Sequence, residues 1–144
     1  MVPMLTLALR LARRFPDDAA LLAELREDKL VRRTIDACEF LAQAARERRT
    51  VTVAELAAAV KLPLSGPAQA ANARSVATIL AALTTSDFEG ARPLLTALVR
   101  RRDGKPPPPA FFALVDDFGL LAPYDDEDAF LADETARVHS AWAA

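Results

Sequence analysis

The sequence predicts a mainly α-helical domain carrying a small β hairpin. Three observations predict it. Alanine, leucine and arginine dominate the 144 residues, while glycine occurs only four times, so helix is the default conformation. The ten prolines fall mostly between periodic segments, where they separate elements rather than break them. Asp103-Gly104 follows a β-like run and reads as a hairpin turn, because glycine accepts positive φ at low cost. A chain of this length fills one compact domain, 1–144, and falls short of two ordinary ones.

Residues 4–14 form a short amphipathic helix that ends near Phe15-Pro16. Asp17 or Asp18 then caps a second helix to about Arg26, since a carboxylate there accepts the free N–H groups of the first turn. A third helix spans roughly 28–48, with Val31, Ile35, Cys38, Leu41, Ala42 and Ala45 recurring every three or four residues. Cys38 falls on that buried stripe and reads as a small core residue rather than a reactive thiol. Val51-Thr52-Val53 is a short β segment, and Thr52 with Glu55 makes a capping box that opens a helix over about 53–60. Lys61-Leu62-Pro63 ends it. Pro67 suits the first position of the next helix, which runs to about Leu83 with Val76, Ile79, Leu80 and Leu83 inward. Residues 88–93 read as a loop and Leu94–Arg101 as a strand. Pro106 to Pro109 is stiff and extended, which keeps the strand after the turn short or at an edge. Phe111, Leu114, Val115 and Phe118 face inward from one further helix. Phe130, Leu131, Val138 and Trp142 do so from a last one, begun after Asp125-Asp126.

Composition excludes several classes. One cysteine cannot make an internal disulfide, and no second cysteine or neighbouring histidine completes a metal cage. The apolar N-terminus is interrupted by Arg10, Arg13 and Arg14, so it does not read as a signal peptide, and no stretch is long enough to span a bilayer. A soluble cytoplasmic protein of bacterial type fits this balance. The net charge of -2 is unevenly spread: 1–50 carries ten basic and eight acidic groups, 51–105 seven and four, 106–144 one and eight. A mildly basic middle beside an acidic end is compatible with nucleic-acid binding on one face.

No catalytic constellation emerges. His139 is the only histidine and has no nucleophile at a convincing spacing. Asp125, Asp126, Glu127 and Asp128 read as helix capping rather than a metal site, because the alternating ligands and central glycine of a calcium loop are missing. Asp116-Asp117 reads as a solvated helix face. No glycine-rich phosphate loop is present. No cofactor is expected.

Strand, capped helix, turn, second helix, strand and basic turn follow one another over 50–109. This is the linear layout of a winged helix-turn-helix, flanked by helical regions at 1–49 and 110–144. In such a module the second helix of the turn enters the major groove and the hairpin meets phosphates. Asn72, Arg74, Ser75 and Thr78 are then the groove or phosphate contacts, and Arg100, Arg101, Arg102 and Lys105 occupy the hairpin tip. The alternative reading of the same residues is a solvated helix face and a charged edge strand that blocks sheet-to-sheet association.

The runs VTVAELA, ANARSVATIL and LLTALVRRRDGK are similar to the DNA-binding helical part of the alkyltransferase-like proteins, which begins with a VTYGELA-type segment. That resemblance implies a DNA-contacting role for Arg74, where the family places its helix arginine. The family's reactive Pro-Cys-His-Arg motif is absent, so alkyl transfer is not implied. A second likeness covers about 50–142. ARPLLTALVRRRDGKPPPPAFFALV and ETARVHSAWA resemble small uncharacterised bacterial proteins with an RPLLSALVV-type signature, with prolines here where those carry glycines. It implies that 51–142 forms one unit.

The expectation is therefore a non-enzymatic protein that binds duplex DNA. The alternative is a protein-interaction module whose acidic 125–134 segment docks a basic partner. The N-terminal helices either pack on the core or build a homodimer.

Overall fold

The computed structural model describes residues 1–143. Among them are seven α-helices and one two-stranded sheet: α1 Val2–Arg14, α2 Ala19–Leu25, α3 Lys29–Arg46, β1 Val51–Thr52, α4 Val53–Ala59, α5 Gln69–Glu89, β2 Val99–Arg100, α6 Pro109–Asp117 and α7 Glu127–Ala141. No helix among the described residues is long and apolar enough to cross a membrane.

Local chemistry sets most helix starts. Asp18 accepts the Leu21 N–H at 3.0 Å and opens α2, and Asp28 does the same for Val31 at the head of α3. The capping box of α4 is complete. Thr52 Oγ1 accepts from the Glu55 N–H at 3.1 Å, and Glu55 Oε1 accepts from the Thr52 N–H at 3.2 Å. Thr52→Ala is expected to cost about 1 kcal/mol, read as a lower urea midpoint with an unchanged slope. Lys61 ends α4 in the left-handed conformation (φ 62°), with the Leu62 N–H returning to the Ala57 carbonyl at 2.8 Å.

The main core gathers Leu9, Leu41, Leu56, Ile79, Leu83, Leu98 and Val138, so α1, α3, α4, α5 and α7 share one apolar interior. A second cluster joins Leu94, Phe111, Phe112, Val115, Phe130 and Leu131. Each large side chain buried in this way contributes about 1.5–3 kcal/mol. α1 packs on this core, burying Leu5, Ala8 and Leu9 while leaving Met4 and Leu7 outside.

Several expectations are corrected. α5 begins at Gln69 after Ala68, so Pro67 precedes its cap, and it continues past Leu83 to Glu89, taking the first two residues of the expected 88–93 loop. Phe118 caps the end of α6 and stacks on Phe88 with ring centroids 4.1 Å apart. The largest difference lies between Leu94 and Arg101. Leu95–Leu98 is a 3₁₀ turn, and only Val99–Arg100 is strand. That strand pairs in parallel with β1, Val51 opposite Val99 and Thr52 opposite Arg100, so the small β element is not a hairpin.

Two buried carboxylates explain this. Asp87 Oδ2 accepts from the Leu95 N–H at 3.1 Å, and Glu134 Oε2 accepts from the Leu94 N–H at 2.7 Å. Both donors point to side chains, so neither is free for a strand partner. The same two acceptors cap the buried N–H groups at the head of the 3₁₀ turn. After β2 the chain reverses through Asp103 (φ 60°) and Gly104 (φ 74°), and the Arg101 N–H reaches the Lys105 carbonyl at 2.9 Å. The turn signal was legible. The antiparallel strand expected after it does not form, because Pro106–Pro108 offers no N–H donor.

Candidate nucleic-acid interface

The residues expected to contact DNA fall on two elements: the first half of α5 and the turn that follows β2. α4 and α5 follow one another in the chain, joined by the connection over 60–68. The connection is pinned from within. The Asn72 side-chain amide donates to the Pro63 carbonyl at 2.9 Å, so it holds the turn in place. Arg74 is exposed one residue-pair further along. Ser75 is half-buried. The Thr78 hydroxyl donates back to the Arg74 carbonyl at 3.0 Å, an i−4 bond that competes with contact to an outside group.

Arg100, Arg101, Arg102 and Lys105 separate into two groups. Arg100 is not at a hairpin tip. Its half-buried guanidinium donates to the Ala97 carbonyl, to the Val99 carbonyl at 3.3 Å and to Thr135 Oγ1 on α7 at 3.2 Å. Burial lowers its pKa from the ordinary arginine value. It ties β2 to α7. Arg101, Arg102 and Lys105 are exposed. Arg101 Nε donates to the Pro106 carbonyl at 2.9 Å, which fixes its stem and leaves the head outward. Arg101 also lines an open cleft with Asp116, Glu127 and Asp128, so its surroundings are of mixed charge.

The strand register places the turn after β2 beside α4. Thr52 is both the N-cap of α4 and the partner of Arg100, so the turn over 101–105 leaves the sheet beside the start of α4. Exposed cations on the two elements are Arg74, Arg101, Arg102 and Lys105, and Lys61 is exposed on the connection before α5.

Half of the acids in the 125–134 segment are used internally. Asp126 caps α7 by accepting from the Ala129 N–H at 2.7 Å, Asp133 accepts from the Tyr124 hydroxyl, and Glu134 is buried. Asp125, Glu127 and Asp128 remain exposed. His139 Nε2 lies 3.4 Å from the Arg49 carbonyl, and the Arg46 guanidinium sits 5.1 Å over the Trp142 ring, so both residues join α7 to α3 and its C-terminal end.

Sequence reasoning did not single out the other polar centre of the molecule, Asp87 with Arg13 and Arg92. Asp87 Oδ1 is 2.9 Å from Arg13 Nη1 and 3.2 Å from Arg92 Nε. Arg13 Nη2 also donates to Cys38 Sγ at 3.3 Å. Burial raises the pKa of the part-buried Cys38 thiol, opposed by the neighbouring Arg13 guanidinium. A signal for Asp87 existed. Val76, Ile79, Leu83 and Asp87 continue one inward stripe at helical spacing, and a carboxylate on such a stripe requires buried partners. No family model, curated protein or solved structure matches the chain.

Proposed function

We propose that the chain is a non-enzymatic DNA-binding protein of winged helix-turn-helix type. α5 would meet the major groove through Arg74, with Arg101, Arg102 and Lys105 on the adjacent backbone. The observation that carries this reading is the β1–β2 register. It ties the exposed 101–105 turn to the cap of α4, the first helix of the pair, while α5 keeps Arg74 outward. The expected role of Arg100 moves from phosphate contact to support, because its guanidinium holds β2 against α7. Asn72 likewise supports the α4–α5 connection.

Fluorescence anisotropy with labelled duplexes tests the proposal. Binding should weaken steeply with added salt, because each neutralised phosphate releases condensed counterion. Reversing the charge of Arg101 and Arg102 together should weaken binding to every duplex and reduce the log–log salt slope by roughly 2, at about 0.9 per contact. Absence of any complex at low salt with duplexes of varied sequence would end this reading.

A second reading is a protein-interaction module. The cleft in which Arg101 lies with Asp116, Glu127 and Asp128 favours it, since both signs of charge there suit a polar protein surface. Under it, neutralising Glu127 and Asp128 releases a co-purifying protein and leaves duplex binding absent.

A further inference from the structure

Far from Arg74, the C-terminal end of α5 meets α1 along an open cleft of about 340 Å³. Ser86 and Arg74 are separated by roughly 18 Å along the helix axis, at 1.5 Å per residue. Arg10, Arg13, Arg14 and Arg92 line the cleft together with Ser86 and Glu89.

Asp87 lies behind this wall, 1% exposed. It draws Arg13 and Arg92 onto the same oxygen, at 2.9 and 3.2 Å, and so holds two guanidiniums side by side. Arg92 Nη2 is fixed further by the Ser86 carbonyl at 3.0 Å. Ser86 Oγ accepts from Arg13 Nη1 at 2.9 Å, which leaves its own proton to donate. Arg10 pairs with Glu89 at 3.0 Å across the rim. Arg14 is exposed and has no carboxylate within ion-pair distance among the described residues. Burial acts against the charge on Arg13, and Cys38 and Asp87 outweigh it, so its pKa is raised.

Four guanidiniums therefore face two carboxylates, an excess of two positive charges in one concave site. A network serving only to join α1 to α5 is complete with Arg13, Arg92 and Asp87. Arg14 adds repulsion that a dianion would relieve. Guanidinium forks match phosphate oxygens two at a time, and a fixed fork loses little entropy on binding.

We propose that the arginine cleft between α1 and the end of α5 binds a phosphate dianion, either inorganic phosphate or the terminal group of a phosphomonoester. This goes beyond the DNA-binding reading and rests on different residues.

Calorimetric titration of the full chain with inorganic phosphate and with glycerol 3-phosphate tests it. Saturable binding of at least one is expected at about pH 8, where both probes are dianions; the phosphomonoester reaches that state above about pH 6 and inorganic phosphate roughly one unit higher. The tighter of the two identifies the source. Arg14→Ala should weaken binding about tenfold, the loss of one charge-assisted contact. Arg10→Ala gives a second reading at the opposite rim. Both side chains are exposed, so the melting temperature reports that the fold is kept. Reversal of Arg101 and Arg102 should leave phosphate affinity unchanged, which separates this site from duplex binding. No saturable binding of either probe overturns the proposal. So does binding that neither Arg14→Ala nor Arg10→Ala weakens.

Discussion

Asp87→Ala is expected to destabilise the protein by about 3 kcal/mol, the lower end of the range for breaking a buried ion pair. Three groups lose their acceptor at once: Arg13, Arg92 and the buried Leu95 N–H. The lower end applies because both guanidiniums reach solvent, with side chains 23% and 40% exposed. For a chain of this size the melting temperature should fall by roughly 10 °C, at about 2–4 °C per kcal/mol. Asp87→Asn tests the assignment. It keeps the shape and an acceptor for Leu95 but removes the charge that gathers the two arginines. Thermal and urea denaturation should rank wild type above the asparagine variant and the asparagine variant above the alanine variant. Equal stability of the alanine variant and wild type would show that the carboxylate does not organise this junction.

Glu134→Ala is the second large effect. Glu134 is 2% exposed, accepts from the Leu94 N–H at 2.7 Å and pairs with Arg137 at 2.8 Å. Arg137 is mostly exposed, so its half of the interaction is screened and contributes little. The cost comes from the orphaned Leu94 N–H and the space left beside it, about 2–3 kcal/mol. Glu134→Gln should recover most of it, because the amide oxygen still accepts. Urea denaturation reads both. Asp87 and Glu134 grip adjacent residues, Leu95 and Leu94, so the double alanine variant should depart from additivity. Strict additivity would show that the two carboxylates hold separate structures.

These two acids also mark how far the candidate interface was legible. Arg74, Arg101, Arg102 and Lys105 lie exposed, as the charge pattern around the turn indicates. Arg100, Asn72 and Thr78 could not be sorted from them by residue type. Arginine, asparagine and threonine bond an internal carbonyl as readily as a ligand, and only the fold brings Ala97, Pro63 or the Arg74 carbonyl within reach. The arginine cleft was hidden for a related reason. Arg10, Arg13 and Arg14 interrupt an apolar run, and nothing near them in the chain indicates that Ser86 to Arg92 lies opposite.

The sequence alone determined what depends on neighbours three or four residues away. Helix starts at Asp18, Asp28, Thr52 and Asp126, the inward stripes of α3 and α5, and the reversal at Asp103-Gly104 all follow from local hydrogen bonding, periodicity and backbone sterics. Tertiary structure alone decided the state of Leu94–Leu98. That run has the composition of a strand, but its first N–H groups are taken by carboxylates 8 and 40 residues away. Intrinsic strand preference spans only about 1 kcal/mol, and two buried charge-assisted hydrogen bonds at about 1.5–3 kcal/mol each exceed it. The expected hairpin fails for a separate reason: Pro106–Pro108 has no N–H to donate to a second strand, and β2 pairs in parallel with β1 instead.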